Sequence, residues 1–231
     1  MDCKKLFLIS RIELSKELVI NRRIDHVFAD TNEFGSARST LQQQRQRNDN
    51  GKDVRIISRA EWGALEPAKL QQQRQSEQSR PRPLKVQPAP YALIGHTATQ
   101  SCYNEAKCQA SCRLIQTFHI EAKGWLDVGY NFLVGGDGNV YEGRGWDQAG
   151  AHTHNYNNRS LGLALVGDFT FKTPPLEQLE ATLGLLELAV ARDKLARDYK
   201  LLGQRQVAHT SSPGDKLFNV IRTWEHWSES P

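Results

Sequence analysis

The sequence predicts an α/β fold, a central mixed and largely parallel β-sheet flanked by about three helices. Short apolar runs suited to buried strands alternate with stretches of helical spacing, the pattern of strands separated by helices. One run, LGLALV at 161–166, is apolar on both parities, as a strand covered on both faces must be. With 231 residues, 39% hydrophobic and 24% charged, the chain can also bury a sizeable core.

Residues 54–57 and 91–94 read as strands, and Leu114, Ile115, Phe118 and Ala122 fall at the spacing of one helix face. Residues 130–134 read as a strand, GGDGN at 135–139 as a tight turn, and 140–142 as the strand that completes a hairpin. Thr173 before Pro174 predicts a helix N-cap, with Leu176, Leu179, Leu183, Leu186 and Val190 as a buried stripe ending near Arg192. Residues 199–202 read as another strand. Pro213 and Gly214 then turn the chain into a last helix with Leu217, Val220, Ile221 and Trp224 inward. Trp62, Trp146 and Trp224 read as packing residues.

Two domains of unequal character are expected, a mostly unstructured appendage over 1–53 and a globular domain over 54–231. Residues 41–53 and 70–90 are rich in Gln, Arg and Pro and read as loop or linker. Within the appendage, ELVINRRIDHVF (17–28) has the β-branched character of a strand but no neighbour to pair with. A net charge of +4, from 30 basic and 26 acidic residues, is too small and dispersed to argue for nucleic acid. The apolar run at 6–9 is shorter than a secretory core of roughly 7 to 15 residues, and no stretch approaches a membrane span. A cytoplasmic location is therefore expected, or a secreted one if the N-terminus continues. A Cys102–Cys108 bridge suits an oxidising compartment and not a reducing one, so the pairing stays open.

Seven histidines and four cysteines invite a metal-enzyme reading. His152 and His154, two apart, would aim to one side of an extended segment. A metal site from His96, His119, His152, His154 or His209 would need three or four of them to converge.

The runs SRAEWGA (58–64), IGHTAT (94–99), the long stretch 115–169 that includes GWLDVGYNFLVGGDGNVYEGRGW, and TSSPGDKLF (210–218) resemble the peptidoglycan recognition proteins of animals. These share the fold of the zinc-dependent N-acetylmuramoyl-L-alanine amidases, and the resemblance covers about 54–227. It places Gly95, Gln204 and Ser212 where active members carry two histidines and a cysteine on zinc. A glycine has no side chain, and an amide and a neutral hydroxyl are poor zinc donors. The resemblance thus implies no catalytic residue, no metal and no cofactor, and leaves Tyr130, which resembles the catalytic tyrosine, without its partner.

What the resemblance leaves is a ligand cleft of His96, Thr97, His119, Gly124, Trp125, Tyr130, Arg144, His152 and Asn157, offering donors, acceptors and aromatic faces to sugars and peptides. Taken singly, each has a plainer reading. His119 is a semi-buried histidine on its helix, Tyr130 core, His96 a strand-end residue, Asn157 a turn former and Arg144 a surface arginine. Gly124, Trp125 and Arg144 resemble members selective for diaminopimelic acid (DAP) over lysine at the third stem position. A guanidinium fork grips the extra carboxylate of DAP, which lysine lacks.

The implied function is non-catalytic recognition of bacterial peptidoglycan or muropeptide fragments that triggers or modulates immune signalling. The implied partners include self-association on ligand or pairing with another family member, and a signalling adaptor met by 17–28. The alternative is a regulatory member that has lost peptidoglycan binding, with Gln148 and His154 as departures in the groove loops. An active amidase is the third reading, disfavoured by the missing ligands.

Overall fold

The computed structural model describes residues 54–66 and 82–231. These belong to a unit spanning Asp53–Pro231. The expected appendage over 1–53, its 17–28 segment and residues 67–81 lie outside the described residues.

Six strands form one sheet: β1 (Ile56–Ile57), β2 (Ala89–His96), β3 (Phe132–Val134), β4 (Val140–Glu142), β5 (Ser160–Leu165) and β6 (Leu195–Gly203). Their order is β1-β4-β3-β5-β2-β6, and every neighbouring pair is parallel except the β3–β4 hairpin. Among the described residues there are three α-helices, α1 (Glu105–Glu121) between β2 and β3, α2 (Leu176–Ala191) between β5 and β6, and α3 (Asp215–Ile221) after β6. The mixed, largely parallel sheet with three helices is thus observed, and β5, buried at all six positions, sits centrally as its two-sided apolar run requires.

The hairpin turn forms as its chemistry predicts. Gly138 takes a φ of 78°, while Asp137 accepts from the Asn139 amide (3.2 Å) and the Tyr141 hydroxyl (2.7 Å).

Several boundaries differ from expectation. β2 runs from Ala89 to His96 and β6 from Leu195 to Gly203, both longer than their apolar runs, because β6 pairs with β2 at Leu195 and again from Lys200, and the irregularity between carries the exposed Arg197 and Asp198. β3 begins at Phe132, so Tyr130 precedes the strand.

Helix α1 starts earlier than its apolar residues suggest. Asn104 caps it, accepting from the Lys107 amide at 3.0 Å, and Cys108 and Cys112 fall inside it. Its buried face is Cys108, Cys112, Ile115, Gln116, His119 and Ile120, whereas Leu114 (66% exposed) and Phe118 (51%) point outward. Of the expected stripe, Ile115 alone is buried. Helix α2 follows Pro175 rather than a Thr173 cap, and no side chain caps it. Leu179 and Leu186 are buried as expected, but Leu176, Leu183 and Val190 are half-buried. Gln178, Ala181, Thr182, Leu185 and Ala189 take the remaining inner positions, with Gln178 Nε2 donating to Val134 O at 2.7 Å.

Trp62 is fully buried and donates to Glu142 O at 2.9 Å, Trp224 is buried, and half-buried Trp146 packs on Phe132. The part of the expected linker that is described, from Arg82, is strapped to the domain by Leu84 N to Asp147 O, Lys85 N to Asn158 O and Ala149 N to Arg82 O. Cys102 and Cys108 are joined by a disulfide, and Cys112 beside them is a buried free thiol.

Candidate recognition cleft

Residues from α1, the loop before β3 and the loops after β4 come together around Arg144. Helix α1 ends where Gly124 takes a φ of 66°, a left-handed stop that lets the Trp125 amide reach back to His119 O at 2.9 Å. A side chain built on Gly124 would meet nothing within 4 Å, so it is this backbone conformation, not crowding, that favours glycine. The turn folds Trp125 onto His119, with ring centroids 4.7 Å apart, and Tyr130 lies 5.7 Å from the same imidazole.

The Gly129 amide donates to His119 Nδ1 at 3.0 Å, which puts the proton of the neutral ring on Nε2. Burial first, then the Arg144 and Lys123 charges, push the His119 pKa down to about 4. Burial and Arg144 likewise push His152 down to about 3. Both imidazoles are therefore neutral near pH 7. Burial pushes the Tyr130 phenol up to about 12, and its hydroxyl bonds to no described residue, leaving it free to donate to a ligand.

Arg144 is half-buried and pinned by two backbone carbonyls, Nε to Val128 O at 2.7 Å and Nη1 to Ala149 O at 2.9 Å. A guanidinium has five N–H donors, so three remain, one on Nη1 and both on Nη2, to meet a ligand carboxylate. The plain surface reading of Arg144 does not hold.

The other expected residues are placed differently. His152 is wedged against β5, where a Cβ on Gly162 would fall 2.2 Å from its Cδ2. Asn157 shapes this loop: its Oδ1 accepts from both the His152 and Thr153 amides at 2.8 Å, the turn-forming alternative. His96 is buried at the end of β2, its Nδ1 accepting from the Phe169 amide at 3.2 Å, and burial lowers its pKa. Asp168 Oδ1, 3.8 Å away, is too far to bond it. Thr97 shares a 2.7 Å hydrogen bond with Thr99 and accepts from the Gly167 amide, so it too supports a loop.

Gly95, Gln204 and Ser212 meet beside this cleft. Ser212 Oγ donates to Gln204 Oε1 at 2.7 Å and accepts from the His96 amide at 3.0 Å. Gln204 Nε2 donates to His152 O at 3.0 Å. A Cβ built on Gly95 would lie 2.3 Å from Gln204 Oε1 and 3.2 Å from Ser212 Oγ, so the amide occupies the volume a residue-95 side chain would need. As a donor set for the zinc of the amidase fold these residues do not fit, offering two neutral oxygens already bonded to each other and no imidazole or thiolate. Among the described residues no three of His, Cys, Asp and Glu converge as metal ligands, and His154 is exposed.

One network escaped the sequence reading. Buried Asp127 takes Arg59 Nη2 at 2.9 Å on one oxygen, and Gln116 Nε2 and the Val128 amide, both at 2.7 Å, on the other. Its three members are far apart in the chain, and nothing in their local spacing links them.

The family model of N-acetylmuramoyl-L-alanine amidase matches residues 85–215. Peptidoglycan-recognition protein SC2 of Drosophila melanogaster is 42% identical over 174 residues, covering 75% of this chain and 88% of the relative. Peptidoglycan recognition protein LE, solved with tracheal cytotoxin, a monomeric diaminopimelic acid-type peptidoglycan, superposes with a TM-score of 0.69 at 41% identity over 75% of this chain and 95% of that one. The ectodomain complex of the LCa and LCx proteins, solved with the same ligand, gives a TM-score of 0.68 at 41% identity over 76% and 99%. By its fold, its motifs and these likenesses, the chain belongs to the peptidoglycan recognition protein family.

Proposed function

We propose that this protein is a non-catalytic receptor of innate immunity that binds bacterial peptidoglycan, prefers DAP-type muropeptides, and triggers or modulates signalling on binding. The observation that carries the reading is the guanidinium of Arg144, fixed by two carbonyls, flanked by two neutral imidazoles and still holding free N–H donors. Tyr130, Trp125 and His119 offer beside it the flat faces and neutral donors that a sugar–peptide ligand uses. The solved complex of the LE relative with DAP-type peptidoglycan supports the ligand class. The joint LCa–LCx complex supports pairing of two family domains around one ligand. Recruitment of an adaptor through 17–28 remains part of the proposal, and deleting that segment without loss of signalling would remove it.

The lack of amidase activity is supported by the corner at Gly95, Gln204 and Ser212. Lowering a water pKa there would require a metal that this donor set does not hold. For location, the Cys102–Cys108 disulfide supports folding in an oxidising compartment, against the reading of the short apolar N-terminal run.

Titration of DAP-type and lysine-type muropeptides into the protein tests the core of the proposal. Wild type should favour the DAP ligand by about tenfold or more, the worth of one charge-assisted pair. Arg144→Val should lose that preference, and neither ligand should be hydrolysed. Equal affinities in wild type and variant would sink the selectivity, and no binding at all would favour the regulatory alternative.

A further inference from the structure

Arg59 bonds to none of the cleft residues named from the sequence, yet it is linked to both ends of Arg144, directly at Gly143 O and through Asp127 at Val128. Its Nη1 donates at 2.7 Å to the carbonyl of Gly143, the residue from which Arg144 springs. Its Nη2 pairs at 2.9 Å with Asp127 Oδ2, while Asp127 Oδ1 accepts from the amide of Val128. Val128 in turn supplies the carbonyl that holds Arg144 Nε at 2.7 Å. One guanidinium and one carboxylate thus tie the backbone root of Arg144 and its side-chain anchor to a common point. Arg59 also donates to Leu65 O at 3.0 Å, so its planar fork is fixed from three directions.

The electrostatics agree with the geometry. Burial comes first in lowering the Arg144 pKa, with the Asp127 charge opposing and the Arg59 charge assisting. Two guanidiniums therefore share a buried carboxylate that is already committed to Arg59. Among the described residues no carboxylate pairs directly with Arg144, and an incoming one on the ligand would supply that pair.

We propose that Arg59 and Asp127 are positioning residues for DAP selectivity, clamping Arg144 so that its free donors are presented to the ligand's extra carboxylate. This rests on the reading of Arg144 as the DAP contact. A lysine-type stem makes no use of those donors, so loosening the clamp costs affinity for one ligand and not the other.

The experiment is a titration of the full chain and its Arg59→Met, Arg59→Lys and Asp127→Asn variants with DAP-type and lysine-type muropeptides. Thermal unfolding of each variant runs beside it. Arg59→Met should cut the DAP-to-lysine affinity ratio by about tenfold while lysine-type affinity stays within about twofold, and Arg59→Lys should recover part of the ratio. An unchanged ratio in folded Arg59→Met, or an equal loss for both ligands, overturns the clamp. Should Arg59→Met not fold, the near-isosteric Asp127→Asn carries the same comparison with the same two overturning results. A wild type with no preference would overturn the Arg144 reading itself, an outcome distinct from failure of the clamp.

Discussion

Among single residues, the geometry around position 95 is tightly constrained, since Gln204 could not sit where it does beside any larger side chain. A Cβ there would stand 2.3 Å from Gln204 Oε1 and 2.8 Å from its Cδ, and the amide is held from retreating by Ser212 Oγ and His152 O. Gly95→Ala should therefore destabilise by about 2 to 4 kcal/mol, overpacking plus broken hydrogen bonds. The cost of the same methyl should fall below about 1 kcal/mol in a Gln204→Ala background, because the clash partner is gone. Urea unfolding of the two single variants and the double variant measures the coupling, and strict additivity would refute it. The sequence exposed the three positions through their flanking motifs. That they bond one another was not legible, because contact between strand β2 and the turn at 204–212 exists only in the folded chain. Asn157 shows the converse, a motif residue whose turn-forming habit decided its role.

At the scale of elements, the sheet was legible where pattern and burial coincide, as in β5 and the β3–β4 hairpin, and α1 shows where they part. Its inner face holds Cys108, Cys112, Ile115 and His119 at i, i+4, i+7, i+11 spacing with Gln116 and Ile120 beside them, and only the two isoleucines are strongly apolar. Residues that a hydropathy reading discounts line the core side, while Leu114 and Phe118 face out, the latter under Lys123 Nζ at 5.5 Å from the ring. Cysteine takes this place because it behaves as a small buried apolar group. The disulfide between Cys102 and Cys108 ties the first turns of α1 to the loop before it. Burial pushes the Cys112 thiol up, so it should resist alkylation in the native state and react only after unfolding. Peptide mapping without reduction should find the 102–108 link, and the Cys102→Ala/Cys108→Ala pair should lose about 2 kcal/mol of stability. Unlinked peptides, or rapid labelling of native Cys112, would contradict this.

For the domain as a whole, the relevant charge is carried by histidines that the fold keeps neutral. His96, His119 and His152 all have lowered pKa values, with burial as the leading cause, and for two of them Arg144 adds repulsion. An unfolded histidine titrates near 6.5, whereas His119 in the fold titrates near 4 and His152 near 3. Between those values the unfolded chain binds more protons than the native one, so stability falls as the pH drops below about 6.5 and the His119 share of the loss ends near 4. The shifted carboxylates act in a lower window: Glu61, Asp147 and Asp168 have pKa values held below their ordinary range by hydrogen bonds, and all three stay ionised above pH 5. A loss between pH 6.5 and 5 therefore reports the imidazoles, and together they should cost a few kcal/mol across their range. The folded imidazoles stay neutral over that window, so muropeptide affinity should not change with them. Urea midpoints measured from pH 7 to pH 5 test the loss of stability in wild type and in His119→Gln, whose amide oxygen can still accept from the Gly129 amide. The wild-type midpoint should fall and the variant's should fall less. A wild-type midpoint that stays level over that range would mean the buried histidines are not held neutral by the fold.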